Sequence, residues 1–316
     1  MEHVPTAIPT RRRIDLTVSS VHRFLWCQRA YYWRYVRGWS SKGRSKPLEI
    51  GTAFHSGMET AVRLGLGSAL EDGILDTDGS WWRAVATAVQ GSGVAADNAK
   101  VGLFMVRQYL LYYGAKDFSH LGVEDVFRIR LKTPVGNAFL GGRIDGIVEI
   151  NSQPWVLERK TTYAVDAQYM AKLPLDLQIS TYMIGAKALG YRPAGVLYDI
   201  VCRPRQRRRE SEGLDEFLVR ASVDFQANTL AYFMRQACHR STTTLRHVRR
   251  YYGQVWERLV QCRDTKCWLQ NTGACFVRGR ECPYTELCIR GERSRVLTQF
   301  EKREPFAELR NIEEND

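Results

Sequence analysis

The stretch that most constrains this chain spans residues 138 to 182, where AFLGGRIDGIVEI, NSQP and WVLERKTT follow one another. Two segments rich in Val, Ile, Leu and Trp flank a four-residue polar turn containing Asn151 and Pro154, the pattern of a β-hairpin. Side chains alternate along a strand, so Glu158 and Lys160 share a face, and the hairpin can bring Asp145 of the partner strand to the same face. A lysine fixed beside two carboxylates in an apolar sheet is costly unless a metal or a substrate shares the charge. A divalent cation held by Asp145 and Glu158 resolves that conflict. Oxygen ligands, to which the carbonyl of Arg159 could add, favour Mg²⁺ or Mn²⁺ over Zn²⁺. A metal-activated water attacking a phosphodiester needs a cation near the charge building on phosphorus, and Lys160 can supply it or orient the water.

The remaining pattern surrounds this hairpin with helices. Ser19 or Ser20 is a candidate N-cap for one helix through VHRFLWCQRAYYWRYVRGW, stopped by Gly38. Its mixture of aromatics and arginines could stack bases and bind phosphates, although core packing is the simpler use of the aromatics. A second helix, from near Pro47 to near Gly65, carries His55 and Glu59 one turn apart. Helical segments follow at WWRAVATAVQ and over residues 97 to 113, and VEDVFRIRLKTP opens the β-rich part. Beyond the hairpin, Pro174 fits the first turn of a helix that Gly190 ends, with Gln178 and Tyr182 one turn apart. AGVLYDIVCRP reads as a buried strand and FLVRASVDF as its hairpin partner. The basic loop 203 to 210 is either a solvated connector or a phosphate clamp. Two helices are expected between Gln226 and Cys262. This succession predicts an α/β fold, a mixed sheet flanked by helices.

With 46 Lys and Arg against 34 Asp and Glu in 316 residues, the net charge of +12 suits a polyanionic partner, most simply nucleic acid, while solubility or attraction to an anionic membrane would use the same excess. There is no signal-peptide pattern and no run near the roughly 20 apolar residues that span a bilayer, so a cytoplasmic protein without membrane contact is expected. No Gly-x-x-x-x-Gly-Lys-Ser/Thr occurs, so any helicase activity must come from a partner. In a reducing compartment clustered cysteines point to metal rather than disulfides. NTGACFVRGRECPYTELC places Cys275, Cys282 and Cys288 in one loop-rich segment, and a fourth ligand must come from elsewhere.

Asp145, Glu158-Arg159-Lys160, Gln178 and Tyr182, with Gly51-Thr52-Ala53-Phe54-His55 upstream, resemble the PD-(D/E)xK nuclease superfamily. Within it the order is similar to the RecB-type branch, which includes nuclease domains of bacterial helicase-nucleases, CRISPR-associated exonucleases and stand-alone phage exonucleases. The resemblance runs from about Ser19 to Cys288; one departure is that no proline precedes Asp145. It implies a restriction-endonuclease-like fold in which His55 joins Asp145, Glu158 and the Arg159 carbonyl around Mg²⁺ or Mn²⁺. It also implies that Gln178 and Tyr182 contact the DNA phosphate or position Lys160, which marks Asp145, Glu158, Lys160, Gln178 and Tyr182 as the catalytic set.

In the iron-sulfur members of that branch, one cysteine of an early helix joins three near the C-terminus. Cys27, Cys275, Cys282 and Cys288 occupy the corresponding places, implying a [4Fe-4S] staple between the N- and C-terminal helical parts. Six residues separate Cys275 from Cys282 where compact forms have two, and Cys262 or Cys267 could substitute for Cys275. Zn²⁺ on the same thiolates and free core cysteines are the alternatives.

The expected layout is a basic arm (1–16), a helical part with Cys27 and His55 (17–120), the nuclease core (121–225), a cysteine-rich helical segment (226–292) and a charged tail (293–316). The resemblance implies an exonuclease acting on DNA ends, single strands preferred, in recombination, repair or phage DNA processing in a bacterium or phage-infected host. A flap or branch endonuclease, a non-cleaving DNA-binding assembly subunit and a zinc-stabilised adaptor are the rival readings.

Overall fold

The computed structural model describes residues 14–306 and 309, except 44, 66–69, 72–73, 76–78, 115–117 and 278. The expected arm therefore lies almost wholly outside the described residues. Asp15 and Leu16, which lie within them, donate their backbone N–H groups to the Phe139 carbonyl.

Helix α1 (Val18–Trp26) is capped by Thr17, whose hydroxyl accepts from Ser20 N–H while the Ser20 hydroxyl accepts from Thr17 N–H. The continuous helix expected as far as Gly38 breaks at Cys27, whose backbone is extended at φ −163° and ψ 113°. Helix α2 (Gln28–Tyr31) and a π turn (Tyr32–Val36) follow. The cause is tertiary. Arg29 N–H donates to the Leu269 carbonyl, Leu269 N–H donates to Gln28 Oε1, and Asn271 N–H points at Cys27 Sγ, so segment 269–271 occupies the break.

Strand β1 (Trp39–Ser41) precedes α3 (Lys46–Arg63), which carries Pro47 in its first turn and so starts near it as expected. A small hairpin, β2 (Leu70–Glu71) and β3 (Ile74–Leu75), leads to α4 (Ser80–Gln90) and α5 (Ala96–Tyr113). The central strands are β4 (Ser119–Thr133), β5 (Gly136–Ile150) and β6 (Gln153–Thr162). The β5–β6 turn is tighter than the four residues expected: Asn151 and Ser152 both adopt positive φ, +50° and +58°, and Pro154 lies within β6 opposite Glu149.

Helix α6 (Ala167–Lys172) and a 3₁₀ turn (Leu173–Leu175) that contains Pro174 lead into α7 (Leu177–Ala188). Asp176 caps α7 through its side chain, and Gly190 lies beyond its end at φ +93°. Strand β7 (Val196–Cys202) is parallel to β6, so α7 belongs to a crossover connection.

The segment FLVRASVDF, expected as a strand, lies in helix α8 (Leu214–Ala227). Phe217, Ala221 and Phe225 are buried at a four-residue spacing, while Val219 and Val223, which suggested a strand, are exposed. After α9 (Thr229–Tyr232), an unanticipated strand β8 (Phe233–Cys238) pairs antiparallel with β7. It completes a five-stranded mixed sheet in the order β4-β5-β6-β7-β8. The chain ends with α10 (Thr242–Thr265), the short strands β9 (Phe276–Val277) and β10 (Arg280–Glu281), α11 (Thr285–Arg290), α12 (Ser294–Leu297) and β11 (Phe300–Lys302). The stretch expected as a charged tail thus contains α12 and β11, and β11 pairs with β1.

The chain forms two compact units. One comprises Met1–Lys42, Val126–Gly142 and Arg246–Asp316, and its core gathers Cys27, Ala30, Trp33, Tyr284, Leu287 and Phe300. The other comprises Gly43–Asp125 and Arg143–Leu245, with Ile50, Phe54, Met105, Tyr109, Val201 and Phe225 in its core. No described helix is long and apolar enough to cross a membrane.

In the second unit α3 and α5 cross where only glycine fits. A Cβ on Gly102 would meet the Ala53 Cβ at 2.4 Å and the backbone of Ala53 and Phe54 at 3.1 Å. Gly102→Ala therefore overpacks this crossing and should cost about 1–3 kcal/mol, read as a lower urea midpoint with an unchanged m-value.

Candidate active site

Each side chain of the hairpin site owes its direction to a backbone rule. The β5–β6 register runs from Ile150 opposite Gln153 to Gly146 opposite Leu157. One residue further along, the Asp145 carboxylate accepts from Arg159 N–H at 2.8 Å. Alternation along β6 then turns Glu158 and Lys160 to one face and the Arg159 side chain to the other. The Lys160 ammonium is ion-paired with Glu158 Oε1.

Helix α3 adds His55, whose Nδ1 lies 3.6 Å from Asp145 Oδ2. Helix α7 adds Gln178: its amide donates to Glu158 Oε1 at 3.0 Å and contacts the Tyr182 hydroxyl at 2.8 Å. The Asp176 cap holds the start of that helix by accepting from Gln178 N–H at 2.7 Å. His55, Asp145, Glu158, Lys160, Gln178 and Tyr182 are therefore brought together. Glu59, the weaker candidate on α3, pairs instead with Arg63 four residues on, at 3.0 Å.

Sequence reasoning missed Glu124. Its carboxylate, with His55 and Asp145, forms a group of three potential metal ligands whose donor atoms lie within 4.8 Å of one another. Glu124 reaches the group from β4 with φ at +55°, a conformation unusual for a side chain with a Cβ. Arg143 Nε pairs with it at 2.7 Å. The available signal was modest: Glu124 and Asp125 are the sole acids of β4, amid Arg128, Arg130 and Lys132.

Burial dominates the electrostatics. Glu158, 1% exposed, is pushed up to about 8 by desolvation and then by the Asp145 charge, against the opposing pull of Lys160. Desolvation and Asp145 likewise push Glu124 up to about 8, against Arg143. Desolvation lowers His55, and Lys160, Arg159 and Arg143 lower it further while Asp145 opposes, which favours the neutral imidazole that a metal requires. Burial works against the Lys160 charge, but Glu158 and Asp145 outweigh it and its pKa is raised.

Glu158 Oε2 is buried without a hydrogen-bond partner among the described residues. Two carboxylates held up near 8 and an orphaned carboxylate oxygen are what a divalent cation would relieve. Neutral His55 and the carboxylate oxygens match the donor set that such an ion takes, so the residues present fit Mg²⁺ or Mn²⁺.

A model of the PD-(D/E)XK nuclease superfamily matches residues 15–289. The chain belongs to this superfamily. Its members hydrolyse phosphodiester bonds, usually with Mg²⁺ or Mn²⁺, and the chain is a nuclease. Among solved structures it is similar to a candidate exonuclease from Eubacterium rectale, at 11% identity and a TM-score of 0.43, over 88% of this chain and 93% of that one. It is also similar to a protein designated SSO0001, at 12% identity and a TM-score of 0.28, over 69% and 78% of the two chains. No curated protein matches the chain.

Cys27, Cys262, Cys267, Cys275, Cys282 and Cys288 lie in the other unit. Cys27, Cys282 and Cys288 share one apolar cluster, and Cys282 N–H donates to the Cys275 carbonyl at 2.7 Å. Trp33 Nε1 lies 3.3 Å from Cys288 Sγ, and Gln270 Nε2 lies 3.8 Å from Cys275 Sγ. Burial raises the Cys282 and Cys288 thiols, and the neighbouring Cys27 raises both further. Cys262 Sγ is spent on Gln28 Oε1 at 3.3 Å, and Cys267 is exposed. Cys202 and Cys238 are buried in β7 and β8.

The raised carboxylates give a pH dependence whose sign is fixed. Between about 4.5 and about 8 the folded, metal-free protein retains protons on Glu124 and Glu158 that the unfolded chain releases, so stability falls as pH rises through this window. Metal competes with those protons, so the rise in Tm produced by Mn²⁺ should grow from pH 6 to pH 8 and level off above. Glu124→Gln should flatten that growth, as differential scanning calorimetry with and without chelator would show.

Proposed function

We propose that the chain is a metal-dependent deoxyribonuclease, an exonuclease that acts on DNA ends and prefers single strands. The observation that carries this reading is the desolvated cluster on one hairpin, in which Asp145, Glu158 and Lys160 meet His55 of α3 and Gln178 of α7. The exonuclease and single-strand parts rest on the resemblance to RecB-type nucleases.

In this reading Asp145, Glu158, His55 and the Arg159 carbonyl hold Mg²⁺ or Mn²⁺, and Glu124 is a further carboxylate for the same centre. A bound divalent cation would supply Lewis-acid polarisation of the phosphate and a more acidic water. Lys160 brings a positive charge to the pentavalent phosphorane as it forms, or orients the attacking water. Gln178 fixes Glu158 by donating to its Oε1, and Tyr182 fixes Gln178 in turn. Attack on phosphorus and departure of the 3′-oxygen leave a 5′-phosphate and a 3′-hydroxyl.

Cys27, Cys275, Cys282 and Cys288 are proposed to bind a [4Fe-4S] cluster, with Zn²⁺ as the alternative occupant. The packing of Cys27 with Cys282 and Cys288 across a long separation in sequence supports this, as does the break that brings Cys27 against segment 269–271. A cluster there would close a loop of more than two hundred residues, which constrains the unfolded chain. Anaerobically purified protein should be brown with broad visible absorption that Cys27→Ser and Cys288→Ser both remove; a colourless, zinc-containing preparation would assign the site to zinc.

The deciding experiment incubates wild type and Lys160→Ala with end-labelled linear and circular single-stranded DNA, with Mn²⁺, Mg²⁺ or chelator. Wild type should shorten linear DNA only with metal, and Lys160→Ala should lose on the order of 10²–10⁴-fold in rate, the range of one positioned acid-base or electrostatic group. Cutting of circles would make the enzyme an endonuclease. Binding without cleavage by wild type would make it an assembly subunit.

A further inference from the structure

A second feature belongs to the unit that carries Cys27, Cys275, Cys282 and Cys288. The distal part of β4 and the middle of α10 enclose a cleft of about 540 Å³ lined by Arg130, Lys132, Arg249, Arg250, Gln254 and Glu257, among others. Local structure produces it. Along β4, Phe127, Ile129 and Leu131 are buried, so alternation turns Arg130 and Lys132 outward together. On α10, Tyr252, Val255, Trp256 and Leu259 are buried, which leaves Arg249, Arg250 and Gln254 exposed. The helix lies close over the strand: a Cβ on Gly253 would come 3.6 Å from Thr133 Cγ2.

The lining holds four cations against the one carboxylate of Glu257, an excess of three positive charges. Among the described residues none of the four cations forms a salt bridge, although ion pairs are formed elsewhere on the chain, at Arg220 with Glu212 and Lys100 with Asp215 for example. Unpaired cations gathered in a concavity raise the local potential for an anion. Arg130 and Lys132 repeat at about 7 Å along the strand, the order of the spacing between successive phosphates of an extended polynucleotide. The guanidinium groups offer forked donors that match phosphate oxygens, and Gln254 adds an amide donor.

We propose that this cleft binds the sugar-phosphate backbone of a single DNA strand, with Arg130, Lys132, Arg249 and Arg250 contacting consecutive phosphates. The identity of the polyanion rests on the nuclease reading; the charge and shape of the cleft do not. Phosphate contacts of this kind are independent of sequence and sensitive to salt. Its function is to retain the strand whose ester the hairpin cuts.

The test measures fluorescence anisotropy of a labelled single-stranded oligonucleotide, in chelator so that nothing is cleaved, for wild type, Arg130→Ala/Arg249→Ala/Arg250→Ala and the corresponding triple lysine variant. The alanine variant should bind on the order of tenfold or more weakly, with a plot of log K against log salt shallower by about two. The lysine variant should keep most of the affinity and slope. Hydrolysis of thymidine 5′-(p-nitrophenyl phosphate), which has one phosphodiester and no further phosphates for a cleft to hold, should be unchanged in both. Wild-type affinity and slope in the alanine variant would overturn the proposal. So would equal loss in the lysine variant or loss of small-ester hydrolysis, which assign the arginines a structural role. Displacement of the oligonucleotide by polyglutamate as readily as by unlabelled DNA would point to an acidic protein and overturn it too. Cleft-dependent binding by a wild type that hydrolyses neither substrate would sink the catalytic reading and support the cleft.

Discussion

One hydrogen bond organises the catalytic hairpin: the Asp145 carboxylate accepts the backbone N–H of Arg159 at 2.8 Å. A carboxylate that takes the place of a strand partner at the end of the register can move only with the strand beside it. That couples Asp145 to Glu158 and Lys160, which flank Arg159, and fixes three chemical groups through one backbone donor. In the same surroundings desolvation pushes Glu158 and Glu124 up to about 8. The site therefore holds one carboxylate tied to the main chain, and two whose ionisation awaits a cation.

The opposite face of β6 explains why that strand does not give way. The Arg159 side chain, 3% exposed, lies against the Tyr109 ring and near His120 Nε2. Tyr109 donates to Asp199 Oδ2 at 2.6 Å, and Arg235 of β8 pairs with the same carboxylate at 3.3 Å while its guanidinium sits over Tyr113. Asp199 is fully buried on β7. Removing one partner from such a network leaves an uncompensated buried charge, which costs more than the network contributes when whole. The charges beneath the sheet thus specify the register of the strand whose upper face carries the chemistry.

What the sequence disclosed follows from how local each signal is. The hairpin, the crossover helix and the meeting of His55, Asp145, Glu158, Lys160, Gln178 and Tyr182 depend on strand alternation, helix spacing and a recognised order of residues. Glu124 was hidden because its direction comes from a left-handed backbone at one position, which no periodicity encodes. The break at Cys27 was hidden because segment 269–271, remote in sequence, supplies its hydrogen bonds. Helix α8 was misread because Val219 and Val223 carry β propensity on an exposed face, whereas Phe217, Ala221 and Phe225 on the buried face set the true period. Strand β8 was missed because its pairing with β7 is a backbone interaction, and FMRQAC shows no strict alternation.

The distribution of charge separates two tasks that one surface could not perform. The charged groups of the hairpin site are largely buried and paired with one another, so they offer a phosphodiester less attraction than solvated cations do. Much of the chain's net charge of +12 lies on other side chains. The cleft between β4 and α10 concentrates part of that excess on side chains that form no salt bridge among the described residues. Exposed cations bind phosphates without reading bases and are weakened by salt, whereas the buried carboxylates are shielded from salt and respond to protons and metal. On the proposed reading, holding the strand and cutting it answer to different solution variables, because one uses solvated charge and the other desolvated charge.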